Sequence, residues 1–148
     1  MKTQQRKAFT MIELVFVIVI LGILSSIAIS KMAVTRDDAM ITKGRSQVAA
    51  IRNAIALAKS MKMMSGSASL YPDTLDKTAG QLFDEANDGT KLLDYPVYAK
   101  NADGHWRKKA NNKYYFKVMG GDIEFTYNNS TGSFDCDHTN STCKLLTE

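Results

Sequence analysis

Proline is scarce in this 148-residue chain: there are two, and neither precedes Pro72. Nothing upstream of that point forces a helix to stop. Histidine is as sparse, with His105 and His138 both in polar, turn-like surroundings, and no paired-histidine metal motif exists. A Gly-rich phosphate loop and a nucleophile elbow are missing too, and with them the usual sequence signs of nucleotide chemistry and acyl transfer. No enzymatic activity is expected. A lasting excess of one charge is also missing. The formal net charge is +4 and the pI about 9.0, but three of the basic residues, Lys2, Arg6 and Lys7, crowd the first eight positions, and without them 16 basic side chains face 15 acidic ones. The positive charge belongs to targeting, not to a basic domain.

What the chain does have is one long apolar stretch. From Val15 to Ile29 there is almost no polar side chain, and between Phe9 and Ile29 lie 14 Leu, Ile, Val or Phe residues. At membrane-insertion values these favour crossing a bilayer by about 4 to 8 kcal/mol. A single carboxylate, Glu13, sits at the head of the run. Its cost does not reverse insertion, so the acid persists as a group that needs a partner. The leader positives hold the amino-terminal flank in the cytoplasm, and the remainder then lies outside the inner membrane, where cysteines oxidise.

Past the apolar run the pattern turns amphipathic without a break, with Ile41, Val48, Ile51, Ile55 and Ala58 forming a helical stripe. Gly66, in Ser65-Gly66-Ser67, suits a helix C-cap. A helix over 9–64 would be roughly 80 Å long. A small domain can bury only its second half, so lipid or copies of the same helix must cover the first. Gly22, Ser25, Ser26, Ala28 and Ser30 form a patch of small residues, read as a helix contact and bending zone.

The rest reads as one modest soluble domain. Residues 66–99 are loop-rich, with a turn at Tyr71-Pro72-Asp73-Thr74-Leu75, a short helix over 81–86 and an edge strand over 97–99. Residues 114–119 and 122–127 flank Gly120-Gly121, a hairpin turn; Ile123, Phe125 and Tyr127 alternate with Asp122, Glu124 and Thr126, and 128–132 turns into a last strand over 133–136. The expected class is α+β: a long amino-terminal helix packed on a small antiparallel meander.

The order at the amino terminus is specific: a basic leader, the small residue Ala8, then Phe9-Thr10-Met11-Ile12-Glu13 and the apolar run. This resembles the type IV pilin and type II secretion pseudopilin family over about the first 30 residues. The resemblance implies a leader at 1–8, an assembly helix over 9–30, the exposed half of the stem over 31–65 and a head over 66–148. It implies cleavage between Ala8 and Phe9 by a prepilin peptidase, N-methylation of Phe9, and a meeting of Glu13 with the amino terminus of a neighbouring subunit. A buried carboxylate opposite a buried ammonium removes two uncompensated charges together. The chain departs from the family at Ala8, where Gly is usual, which predicts slower processing at most, and at Ser30, where many type IV pilins have proline. Copies of itself, related pilin-like subunits, inner-membrane assembly machinery and membrane lipid are the implied partners. The filament would be a secretion pseudopilus, a surface pilus or, as an alternative, a DNA-uptake pseudopilus.

Several other readings fit parts of the chain. Ala28-Ile29-Ser30 also suits an ordinary secretory signal, which would leave Lys31 as the mature amino terminus of a secreted or anchored binding module. Cys136 and Cys143 enclose six residues and are expected to form a disulfide worth ~2 to 3 kcal/mol. They could instead join His138 as metal ligands, though without a fourth. No cofactor is expected, but some pseudopilins bind calcium in carboxyl-terminal loops, and Asp122, Asp135 and Asp137 could supply oxygens without calcium-loop spacing. Trp106, Arg107, Lys108 and Lys109, with Lys113-Tyr114-Tyr115-Phe116-Lys117, interleave bases with aromatics as DNA-tracking surfaces do; the alternative is a core strand with a solvated basic loop.

Overall fold

The computed structural model describes residues 9–148; the leader calls at Ala8, Lys2, Arg6 and Lys7 lie outside the described residues. The order of elements is α1 (Met11–Met64), β1 (Gln81–Leu82), β2 (Val97–Tyr98), β3 (His105–Ala110), β4 (Lys113–Val118), β5 (Gly121–Asn128), β6 (Ser133–Cys136) and α2 (Ser141–Thr147). The class is α+β. Contacts divide the chain into two compact units, one ending at Arg36 and one beginning at Asp37.

In the first unit α1 presents its apolar side chains to the outside: over Met11–Ile29 none of the helix is buried, and the 19 residues are long and apolar enough to cross a membrane. The two serines of this span bond to their own helix, Ser25 Oγ to Leu21 O (2.7 Å) and Ser26 Oγ to Ile23 O (2.9 Å). Hydroxyls satisfied in this way suit an apolar surrounding.

The second unit is built on the stripe of α1. Val48, Ile51, Ala54, Ile55 and Ala58 are buried, and Ile41 packs at the edge of the same core. Opposite them lies a four-stranded antiparallel meander in the order β3-β4-β5-β6. Its inner face alternates as the pleat demands: Tyr114, Phe116 and Val118 from β4, then Ile123, Phe125 and Tyr127 from β5. Cations flanking the stripe reach sheet and loop carbonyls, Lys43 to Gly104 O (2.8 Å) and Arg52 to Phe134 O (3.0 Å). The helix ends in a Schellman motif: Gly66 takes a φ of 68°, and the amides of Gly66 and Ser67 return to Met63 O and Lys62 O.

Two local expectations need correction. Residues 81–86 are not a short helix. Gln81–Leu82 pairs antiparallel with Val97–Tyr98, and the following segment folds back on itself through Leu93 N to Phe83 O (3.1 Å) and Ala86 N to Thr90 O (2.9 Å). Phe83 holds a φ of 60° because its ring is packed among Trp106 (5.4 Å), Tyr114 (4.7 Å) and Phe134 (5.7 Å). The tight turn between β4 and β5 is also one residue earlier than Gly120-Gly121. Val118 pairs with Gly121, so Met119 and Gly120 form the turn with φ of 53° and 73°, the signature of a type I′ hairpin. The tail after β6, for which the sequence offered no element, carries a helix, α2, capped by Asn140, whose Oδ1 accepts from Thr142 N (2.8 Å).

Candidate functional site

At the start of α1, Thr10 and Glu13 are locked to each other. Glu13 Oε2 accepts from the amide of Thr10 (2.7 Å) and from its hydroxyl (2.8 Å), while Thr10 Oγ1 accepts from the amide of Glu13 (3.3 Å). This is a capping box, with the N-cap threonine and the third helical residue satisfying each other's free amides. The spacing Thr-x-x-Glu was legible in the sequence and carries the helix start as well as the charge. Phe9, immediately before it, is exposed.

Residues 3–29 match the family described as the prokaryotic N-terminal methylation motif. The chain carries the prepilin motif of type IV pilins and pseudopilins. Curated proteins and solved structures give no match. The motif supports a pilin-like or pseudopilin subunit, and the family that carries it is structural. The prepilin motif ends at residue 29, where the unburied apolar span also ends. Phe9 and Glu13 both lie within it, Phe9 exposed and Glu13 on the first turn of the helix.

In the head, the core-strand reading of the basic stretch is the one that the structure has. Trp106 is fully buried and donates from Nε1 to Gln47 Oε1 (3.0 Å), because β3 alternates and places it on the inner face with Tyr114 and Phe116. Lys108 follows on the same side and binds Asp76 through both carboxylate oxygens (2.8 and 3.1 Å). Arg107 pairs with Asp122, and with Lys109 it lies over the ring of Tyr115 at 5.6 and 5.7 Å. The rings available for stacking on bases are thus mostly in the core. Glu124 bonds Lys113 (2.8 Å) and the Tyr115 hydroxyl, and these hydrogen bonds, Lys113 first, hold its carboxyl below the ordinary value.

The carboxyl-terminal residues close through the Cys136–Cys143 disulfide. Ligand atoms of Asp135, His138 and Cys143 lie within 4.8 Å of one another. With both sulfurs bonded to each other, neither cysteine offers the thiolate that a metal site with His138 needs. Of the carboxylates considered for calcium, Asp122 is paired with Arg107 and Asp135 with Arg52 (2.9 Å), and Asp137 accepts from Thr139 N (2.9 Å).

Two buried hydroxyls of the head give a pH prediction. The Tyr114 hydroxyl donates to Asp76, and burial first, then that hydrogen bond, pushes its ionisation upward; burial does the same for Tyr127, which donates to Pro72 O (2.8 Å). A folded-state value above the unfolded one gives stability that is complete below about pH 10 and is lost as pH rises further, by about 1.4 kcal/mol per pH unit for each group. Unfolding followed by the fluorescence of Trp106, the single tryptophan, should therefore be steady from pH 8 to 9.5 and weaken above pH 10. Tyr114→Phe should flatten that fall; an unchanged slope would show that the hydroxyl is not its source.

Proposed function

We propose that this chain is a structural subunit of a type II secretion pseudopilus or a related type IV pilus-like filament. It is made as a single-pass precursor in the bacterial inner membrane, with the leader cytoplasmic and the head outside. A prepilin peptidase cuts between Ala8 and Phe9, Phe9 is N-methylated, and the mature subunit joins copies of itself and related subunits through α1. The observation that carries this reading is the coincidence of the prepilin motif with an apolar span that the chain leaves wholly unburied. Such a surface requires lipid before assembly and neighbouring helices after it. The disulfide agrees with a head on the oxidising side.

Mass spectrometry of the purified protein tests the reading. The expected product begins at Phe9 and carries one methyl group on its amine. A mature end at Lys31 would make the leader an ordinary secretory signal and the head a released module; an intact Met1 would remove processing altogether.

A further inference from the structure

We propose that adjacent heads dock through opposite charges on the two sides of the four-stranded sheet, the cationic recess beside β3 of one copy receiving the acidic corner after β6 of the next. The proposal rests on the filament reading and names a contact within it. On the outer face, charge is graded across the strands. Basic residues lie on β3 and β4, among them Arg107, Lys109 and Lys113, and acidic ones on β5 and beyond, Asp122, Glu124 and Asp137.

Two recesses sharpen the gradient. One, of about 470 Å³, is lined by Lys100, Arg107, Lys108 and Lys109 against a single carboxylate, Asp76, which is already bound to Lys108 and Tyr114. The other, of about 390 Å³, is lined by Asp122, Glu124 and Asp137 with no basic side chain. Pairing within the copy leaves a remainder of each sign. Lys100, Lys109 and Asp137 make no ion pair among the described residues, whereas Arg107, Lys108 and Lys113 are each matched.

Within one copy the two sides already meet once, where Arg107 pairs with Asp122 across β4. The charges left for a neighbour are Lys100 and Lys109 on one side and Asp137 on the other. A contact that joins one side to the other side of a second copy is heterologous, and it propagates into an open helix instead of closing a dimer. A filament needs that geometry. A nucleic acid fits less well, because Trp106, Tyr114 and Phe116 turn inward.

The test uses full-length protein in cells that form filaments, with assembly read by electron microscopy and head folding by Trp106 fluorescence. Reversing Lys100→Glu with Lys109→Glu is expected to lower filament yield about tenfold, since like charges then face each other, while fluorescence stays that of the wild type. Adding Asp137→Lys to the same chain should restore most of the yield. Assembly of the double reversal at the wild-type level would overturn the contact and leave the filament reading standing. Failure of Asp137→Lys to restore a lost yield would also overturn it, and would assign the lysines to another partner. A wild type that never forms filaments would sink the filament reading itself, and this contact with it.

Discussion

Replacing Glu13 by Gln should leave a protein that is processed at Phe9 and held in the membrane at the wild-type level, yet forms no filaments. The choice of Gln follows from the capping box. Glu13 accepts from the amide and hydroxyl of Thr10, so Glu13→Ala would remove the helix start and the charge together. Gln keeps a side-chain oxygen at the third helical position, where it serves the box as Glu does, and removes only the charge. If the carboxylate exists to meet the ammonium of a neighbour in an apolar layer, its neutral isostere leaves that ammonium buried without a counter-charge, the situation in which removing one partner is most damaging. Thr10→Ala is the complementary variant: it loses the cap hydroxyl, retains the charge and should still assemble. Immunoblots of membrane fractions beside electron micrographs of sheared filaments separate the outcomes. Wild-type filaments from Glu13→Gln would reduce Glu13 to a helix cap and remove its assembly role.

The second large effect is expected at Gly44. A Cβ built there lies 2.6 Å from Leu146 Cδ2 and 2.6 Å from Phe116 Cε1, and both neighbours are fully buried. Glycine within a helix costs about 1 kcal/mol relative to alanine. Here the missing side chain lets α1 approach β4 and α2 together. Gly44→Ala recovers helix propensity but overpacks this contact, typically by 1 to 3 kcal/mol, so it should be mildly destabilising. Gly44→Leu has no such offset and should lower head stability by about 3 kcal/mol or more, because a full side chain must displace Phe116 or lift α2. Phe116 packs against Trp106 at 5.0 Å between ring centres, so its displacement should appear as red-shifted tryptophan emission as well as an earlier unfolding midpoint. Leu146→Ala in the Gly44→Ala background should relieve the clash. A wild-type midpoint for Gly44→Leu would show that α2 does not press on the helix.

Gly44 shows why sequence reading stopped where it did. The stripe through Ile41, Val48, Ile51, Ile55 and Ala58 was legible because apolar residues announce a buried face. A glycine on the same face announces nothing, although here it lets α1 press on Leu146 and Phe116. The basic strand was open to two readings for a related reason. Beside Arg107, Lys108 and Lys109 in the chain, Trp106 fits a surface or a core; alternation along β3 sends it inward, a fact that depends on which face of the strand meets the helix.

By itself, the sequence determined the prepilin motif, the apolar span behind it, the stem helix and the alternating strands β4 and β5. These depend on residues adjacent in the chain or one helical turn apart, so composition and period suffice to define them. Tertiary structure alone decided the rest: Phe83 held in a left-handed conformation by three distant rings, the one-residue shift of the β4–β5 turn, α2 seated over Gly44, and the separation of positive and negative sides across the sheet. Each of these is set by contacts between segments far apart in sequence, where packing outweighs local preference and no short window holds both partners.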